Sequence, residues 1–332
     1  MTKFTFIDLF AGIGGFHLTL ADFGGLCVFS SEWDKNSQKV YLQNFGEIPQ
    51  GDITKIDEKE IPPHDVLCAG FPCQAFSISG KQNGFKDTRG TLFFDIARIA
   101  KYHKPKVLFL ENVKNLIRHN NGKTIEVIKK SLDELGYRYF VELLKSSDYG
   151  IPQARERVYI VAFRKDLIIK SFSFPKPIKK IKVIKEILEK NPVGEEFYIK
   201  RKDIKIYKKE DQVTNPRNPL QIGTINKGGQ GERIYSINAA GITLSAYGGG
   251  AASKTGAYLI NGKIRKLTPR ECARLQGFPE NFILPKQKNI AYKQFGDSVS
   301  VPVLKMIFDK IIKSYPSLIR TIKNKKITKN YE

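Results

Sequence analysis

Cys73 stands in Ala69-Gly70-Phe71-Pro72-Cys73-Gln74-Ala75-Phe76-Ser77, directly after the apolar run Val66 to Ala69. A thiol at a Gly/Pro turn leaving a buried strand sits at the ligand edge of an α/β sheet. There a helix N-terminus or a cation favours the thiolate, and so a nucleophile. Glu111 follows a second apolar run, Val107 to Leu110, and offers a carboxyl at the same edge as an acid or hydrogen-bond partner. Arg155 and Arg157 alternate in Gln153-Ala154-Arg155-Glu156-Arg157, ahead of the run Val158 to Phe163. In an extended chain both point to one face, which suits phosphate or carbonyl oxygens. Each also has a plainer reading: a core thiol, a helix-start Glu and a solvated edge strand. Cys27, Cys68 and Cys272 read as buried thiols, and Cys68-x4-Cys73 lacks further ligands at zinc spacing, so no metal site is expected. His17, His64, His103 and His119 are scattered and read as surface or loop residues.

A binding turn precedes these groups. Phe6-Ile7-Asp8-Leu9-Phe10-Ala11-Gly12-Ile13-Gly14-Gly15 reads as a strand, a glycine turn and a helix start. Glycines there let the backbone approach a ligand, and the helix N-terminus favours negative charge. Glu32 comes 18 residues after Gly14, in Ser31-Glu32-Trp33-Asp34, where a second strand would end and ribose hydroxyls would be held. Trp33, the single Trp, offers a face to an adenine. The pattern is not G-x-G-x-x-G, so a nucleoside ligand such as S-adenosylmethionine fits better than NAD. A tight turn that binds nothing is the alternative.

The elements that must hold these residues alternate through the first half. Apolar runs at 4–10, 26–29, 66–69, 107–110 and 158–163 are separated by helical stretches such as 91–102 and 124–135. That order predicts a doubly wound α/β unit with a parallel sheet and helices on both faces. After Phe163 the texture changes. Residues 176–209 hold twelve Lys/Arg against five Asp/Glu, suited to nonspecific phosphate contacts or a solvated face, and a glycine-dense stretch follows from Gly223 to Gly262. Short strand-like pieces, Ile242-Thr243-Leu244 and Tyr258-Leu259-Ile260, indicate a smaller loop-rich β domain. Thr268-Pro269-Arg270-Glu271 reads as an N-cap with Pro at the first helical position, and 300–312 as a last helix returning to the sheet. The expected division is 1–185, 186–268 and 269–332.

Composition narrows the partners. The 332 residues suit about two domains at roughly 150 residues each. The 56 Lys+Arg against 33 Asp+Glu give a net charge of +23, which points to a polyanionic partner. No apolar run approaches the ~20 residues that span a bilayer, and the start MTKFTFIDLF lacks a signal-peptide pattern. Four Cys are too few for a disulfide framework, so reduced thiols and a cytoplasmic location are expected.

Together, in this order, the motifs resemble the DNA (cytosine-5)-methyltransferases along the whole chain. The resemblance is strongest over residues 67–81, 89–99, 148–153 and 227–250. It implies a Rossmann-like S-adenosylmethionine-dependent methyltransferase domain with a smaller target-recognition domain. It further implies double-stranded DNA as partner, a monomer, and a bacterial restriction endonuclease as functional rather than physical partner. Cys73 would add to C6 of a flipped-out cytosine, Glu111 would bond or protonate N3, Arg157 would contact the cytosine carbonyl oxygen, and Arg155 would support Glu111 and the substrate backbone.

For the cofactor, the resemblance implies Phe10, Glu32, Trp33, Asp52, Ile53, Pro72, Leu92, Asp297 and Val299 as pocket residues, with Gly12, Gly14 and Gly15 shaping the turn. DNA contacts would come from Ser77, Ser79, Lys81 and Arg89, and from two glycine-rich loops carrying Gln230, Arg233, Thr243, Ser245, Tyr247 and Gly250. Ser79 and Gln230 would fill the space left by the flipped base. Both loops look like those of a GCGC-specific member that methylates the first cytosine. One departure is Asp297, where the family usually carries Asn; it adds a charge that can meet a methionine ammonium, so altered cofactor affinity is expected. The rival readings are a tRNA methyltransferase and a non-enzymatic DNA-binding protein. A nicotinamide oxidoreductase explains neither Cys73 nor the charge.

Overall fold

Runs of β-branched and aromatic residues form the central sheet of the computed structural model, which describes residues 2–72 and 92–319. Its strands are β1 (Phe4–Leu9), β2 (Gly25–Ser31), β3 (Val66–Gly70), β4 (Val107–Val113), β5 (Tyr137–Lys145) and β6 (Glu156–Arg164). Their order across the sheet is β2-β1-β3-β4-β6-β5. The first four run parallel, but β6 is antiparallel to both β4 and β5. The all-parallel expectation is therefore corrected, and β5 is a strand that the apolar runs did not include. Ten residues separate β5 from β6, fewer than the dozen or so that a parallel crossover needs, so the pair folds back on itself. Glu111 is likewise not a helix-start residue. Strand β4 continues through it to Val113.

The helices are α1 (Gly15–Asp22), α2 (Lys35–Phe45), α3 (Leu92–His103), α4 (Lys123–Glu134), α5 (Pro269–Gln276), α6 (Lys288–Asp297) and α7 (Val301–Ser314). Strand side chains alternate between two cores. Phe4, Phe6, Val107, Phe109, Val161 and Phe163 join α1 and α7 on one face. Ile7, Leu9, Leu108, Leu110, Ile160 and Ala162 join α3 and α4 on the other. Phe308 of α7 is fully buried, with its ring 5.3 Å from Phe4 and 5.2 Å from Phe23. Burying such a side chain stabilises the fold by about 1.5–3 kcal/mol. The last helix does return to the sheet, as its sequence indicated.

A second sheet has the order β11-β10-β9-β8-β7, built from β7 (Ile204–Ile206), β8 (Gln221–Ile225), β9 (Arg233–Tyr235), β10 (Ala257–Ile260) and β11 (Lys263–Lys266). Ile222, Ile225, Ile234, Ala257 and Ile264 form its core. The expected strand at Ile242–Leu244 is absent from this sheet. That stretch follows the segment just before β6 instead: Gly241 pairs with Pro152 and Ala154, with Ala154 N donating to Gly241 O at 2.9 Å and Gly241 N to Pro152 O at 2.7 Å, and Leu244 N donates to Gln153 Oε1 at 3.0 Å. Helix α5 begins as its sequence spells. The Thr268 hydroxyl accepts from Glu271 N, and the Glu271 carboxylate accepts from Thr268 N. Among the described residues no helix is long and apolar enough to cross a membrane.

Candidate active site

Strand order reverses between β1 and its neighbours β2 and β3, and a crevice opens at the carboxyl ends of the strands at such a switch point. A cavity of about 1060 Å³ lies there. Phe10, Gly12, Gly15, Glu32, Trp33, Asp52, Ile53, Pro72, Leu92, Asp297 and Val299 all line it. Gly14 does not. Its φ is +84°, and an added Cβ would lie 2.1 Å from Phe45, so this glycine serves the packing of the turn rather than the cavity. Gly15 is needed for close approach: a Cβ there would fall 2.4 Å from Val299 Cγ2, placing the turn of Asp297 to Val299 directly on the start of α1. Phe10, with φ 55°, holds a left-handed conformation that is costly for an aromatic residue, at the mouth of that turn.

Glu32 braces the glycine turn from the end of β2. Oε2 accepts from Gly12 N at 2.8 Å and Oε1 from Asp34 N at 2.8 Å. Burial raises its carboxyl above the ordinary range, partly offset by these backbone donors. Trp33 is 72% exposed and leaves an aromatic face free along the wall. Asp52 caps a short 3₁₀ turn that carries the buried Ile53 into the cavity. Arg98, absent from the sequence reading, fixes that turn: it donates to Ile53 O at 2.6 Å and pairs with Glu58 at 2.8 Å and Asp95 at 3.0 Å. Lys293 was also missed. It pairs with Asp34 at 3.0 Å and lies one helical turn before Asp297, a Lys-to-Asp i, i+4 spacing that was legible in the chain. Burial raises the Asp297 carboxyl, while Lys293 and Arg155 pull it back.

At the other end of the cavity stand Gly70, Phe71, Pro72, Glu111, Arg155 and Arg157. Glu111 is 7% exposed, and its Oε1 lies 3.2 Å from Arg157 Nε without a directed hydrogen bond. Burial raises this carboxyl above the usual carboxylate range, and Arg157 and then Arg155 partly oppose the rise. Asn112, beside it, donates from Nδ2 to Phe71 O at 2.8 Å and so holds the chain at the end of β3. Arg155, expected to support Glu111 and the substrate backbone, acts on the Glu111 carboxyl and lines the cavity. It is 2% exposed, and its guanidinium is taken by the carbonyls of Gly296, Ser298 and Leu244.

Two glycine-rich loops meet near this cavity. An added Cβ on Gly231 would lie 1.9 Å from Gly249 O, and one on Gly250 would lie 2.6 Å from Gly231 O. Ala252 N donates to Gly231 O at 2.8 Å. Gln230, Arg233, Ser245, Tyr247 and Gly250 are exposed, and Tyr247 also reaches the cavity wall. Thr243 is only half-buried, with its hydroxyl on Ala154 O at 2.9 Å, and Ser245 Oγ bonds Tyr247 O. Both hydroxyls thus have partners within the protein.

Cys73, Ser77, Ser79, Lys81 and Arg89 lie outside the described residues. Cys27, Cys68 and Cys272 are buried thiols, as expected. His64 lies in a loop, as expected, though it is buried, and His17 is corrected: it sits in α1 and stacks on Phe45 at 4.1 Å with Nδ1 on the Tyr41 hydroxyl at 2.6 Å. Burial pushes both down to about 4. His17, Cys27 and Glu47 bring ligand-type atoms within 4.8 Å of one another, which their spacing in the chain did not reveal.

A mixed α/β sheet with a crevice at its switch point, a glycine turn and a carboxylate after the second strand fits a nucleoside-cofactor enzyme, and the antiparallel β6 and buried Glu111 fit a methyltransferase. The chain belongs to the C-5 cytosine-specific DNA methylases, whose family description matches residues 4–313. It is 55% identical over 307 residues to the Type II methyltransferase M.HhaI of Haemophilus parahaemolyticus, covering 92% of this chain and 94% of that protein. It is 42% identical over 337 residues to M.HpaII of Haemophilus parainfluenzae, covering 95% and 91%. Among solved structures, the fold is similar to the Dnmt2 methyltransferase of S. pombe, with TM-score 0.72, 19% identity, and 94% and 99% of the two chains covered. The protein is a DNA (cytosine-5)-methyltransferase, and its cofactor is S-adenosyl-L-methionine. The donor set suits that cofactor: a carboxylate for hydroxyls, an open aromatic face, a helix start for a carboxylate, and Asp297 for an ammonium.

Proposed function

We propose that this enzyme methylates C5 of the first cytosine in GCGC duplexes, through a covalent bond between Cys73 Sγ and C6 of a flipped-out base. The observation that carries the reading is the buried Glu111 carboxyl, raised by burial, in the same cavity as Pro72, the residue before Cys73. Thiolate addition to C6 moves electron density onto C5, while Glu111 bonds or protonates N3 and Arg157 holds the cytosine carbonyl oxygen. S-adenosyl-L-methionine supplies the methyl group when bound. After methylation, loss of the C5 proton re-forms the C5–C6 double bond and releases the Cys73 thiolate. Glu32, Trp33, Asp52 and Ile53 would hold the adenosine, and the turns at Gly12 and Asp297 the amino-acid end. Base flipping costs a few kcal/mol, and Ser77, Ser79, Lys81, Arg89 and Gln230 would support the opened duplex.

GCGC is supported by the likeness of the loops at 227–250 to those of a GCGC-specific relative and by the exposure of Arg233 and Gln230, since Arg paired to guanine is the commonest specific contact. Residues 186–268 would form the recognition domain between 1–185 and 269–332. A monomer acting beside a restriction endonuclease completes the reading. Transfer of labelled methyl to GCGC duplexes, other CG duplexes and tRNA tests it. Label confined to GCGC is expected; label in other duplexes overturns the assigned sequence, and label in tRNA alone overturns the DNA substrate. Cys73→Ala should abolish transfer and retain duplex binding.

A further inference from the structure

Among the described residues Arg155 has no directed carboxylate partner. Nη1 and Nη2 each donate to Gly296 O at 3.2 Å, Nη1 also to Leu244 O at 3.4 Å, and Nη2 to Ser298 O. Leu244 opens the loop that carries Ser245 and Tyr247, whereas Gly296 and Ser298 flank Asp297 in the cofactor wall. A second contact joins the same two segments: a Cβ on Gly296 would fall 2.2 Å from Ala246 N and 2.4 Å from the Ser245 carbonyl carbon. Gln153, fully buried, ties the loop to the end of α5 instead. Its Oε1 accepts from Leu244 N at 3.0 Å, and its Nε2 donates to Leu275 O at 2.8 Å. Nearby, Gln276 Nε2 donates to Phe295 O at 2.7 Å.

Arg155 Nε has no partner among the described residues, so the carbonyls hold the guanidinium through its two terminal nitrogens, and each further acceptor lost leaves another buried donor unpaired at a cost. Displacing either loop 244–247 or turn 296–298 therefore takes acceptors from the same guanidinium, which the other segment helps to hold. We propose that Arg155 is a positioning residue that couples the two ligands, making the target loop and the cofactor turn one unit so that duplex DNA and cofactor each tighten the binding of the other. This rests on the reading of loop 243–250 as a DNA reader. Whichever ligand binds first orders the shared unit, and the second binds to a structure already arranged for it. Linkage requires the two effects to be equal.

The test uses the full-length enzyme and S-adenosylhomocysteine, the demethylated cofactor, which binds without turnover. Equilibrium dialysis of the labelled compound, with and without a GCGC duplex, yields one coupling factor. Anisotropy of a labelled duplex, with and without the compound, yields the reciprocal. Wild type should show equal factors, in the roughly 5- to 150-fold range usual for coupled sites. Arg155→Lys keeps the charge and loses the fork, and Gly296→Ala pushes the loop away from the other side. Both should bring the factor to about one. Arg217→Lys is the control: Arg217 also bridges separate segments, through Ser147 O, Asp148 and Ile178 O, yet lies off the cavity. It should keep the wild-type factor even if stability drops. A full factor in Arg155→Lys overturns the proposal, as does a wild-type factor of one with both ligands bound, and neither touches the assigned reaction. Failure of wild type to bind any duplex overturns the functional reading and the proposal with it.

Discussion

Glu111 and Arg157 meet across two strands that run in opposite directions, with Oε1 3.2 Å from Nε. Strand β4 ends at the crevice, and because β6 is antiparallel its first residues arrive at that same edge. A parallel β6 would have carried Arg155 and Arg157 to the far side of the sheet, away from the carboxyl they influence. One reversed strand thus assembles the reacting end of the cavity.

The pH dependence of catalysis should follow Glu111. In the proposed role its carboxyl donates to N3 only while protonated, and burial raises its pKa. We expect kcat/KM to fall as pH rises through that raised value. Arg157 holds the pKa down, so Arg157→Gln should move the fall to higher pH, whatever it does to the maximum. A pH profile with an unmoved basic limb would remove Glu111 from this role. Glu111→Gln should lower kcat by about 10²- to 10⁴-fold, the usual range for a positioned proton donor.

Glu32 receives two backbone donors on its two oxygens. In Glu32→Gln one oxygen becomes an NH₂ facing an N–H, leaving a buried donor unmatched at a cost of about 1–3 kcal/mol. If that disorder falls on the glycine turn, cofactor affinity should drop about 5- to 150-fold. Titration followed by the fluorescence of Trp33, the single Trp in the chain, reads this directly. Unchanged affinity would show that the turn holds its shape without Glu32.

Gly231→Ala should separate the two loops proposed to read DNA, since the new methyl group would fall 1.9 Å from Gly249 O. Discrimination between GCGC and other duplexes should fall by at least about tenfold, on the scale of one lost base contact. Gly231 does not line the cavity, so binding of cofactor alone should remain. Methylation assays on paired duplexes check the first outcome and dialysis the second.

Asp8 is fully buried in β1, with Oδ2 accepting from His17 N at 3.2 Å and Oδ1 without a partner among the described residues. Burial raises its pKa well above the ordinary carboxylate value, and Glu32 and Glu47 add to the rise. The folded state therefore prefers the protonated acid. That preference stabilises the fold below the ordinary carboxylate pKa, and the stability is lost as pH rises toward the folded value. Asp8→Asn keeps an acceptor for His17 and removes the charge. Its urea midpoint should match or exceed wild type near neutral pH, and the difference should shrink in acid. A lower midpoint at neutral pH would mean that the ionised acid is stabilised by contacts beyond those described.

What the chain determined by itself was local. The alternation of strands and helices, the glycine turn, Glu32 at its offset, and the Thr268 cap were legible because each depends on backbone freedom, propensity or spacing within a few tens of residues. The apolar runs also marked where Pro72 and Glu111 would stand, at strand ends along one edge. Tertiary structure decided the rest. The direction of β6, the carbonyl partners of Arg155, the hold of Arg98 on Ile53 and the meeting of Gly231 with Gly249 all join residues far apart in sequence. Residues 242–244 show the reason. They have strand composition, but Ala154 O takes the Thr243 hydroxyl and the Gln153 side chain takes Leu244 N, while Pro152 and Ala154 hold Gly241 just ahead of them. Residue type measures the tendency to extend; which edge accepts the extended chain depends on what the completed fold leaves unpaired.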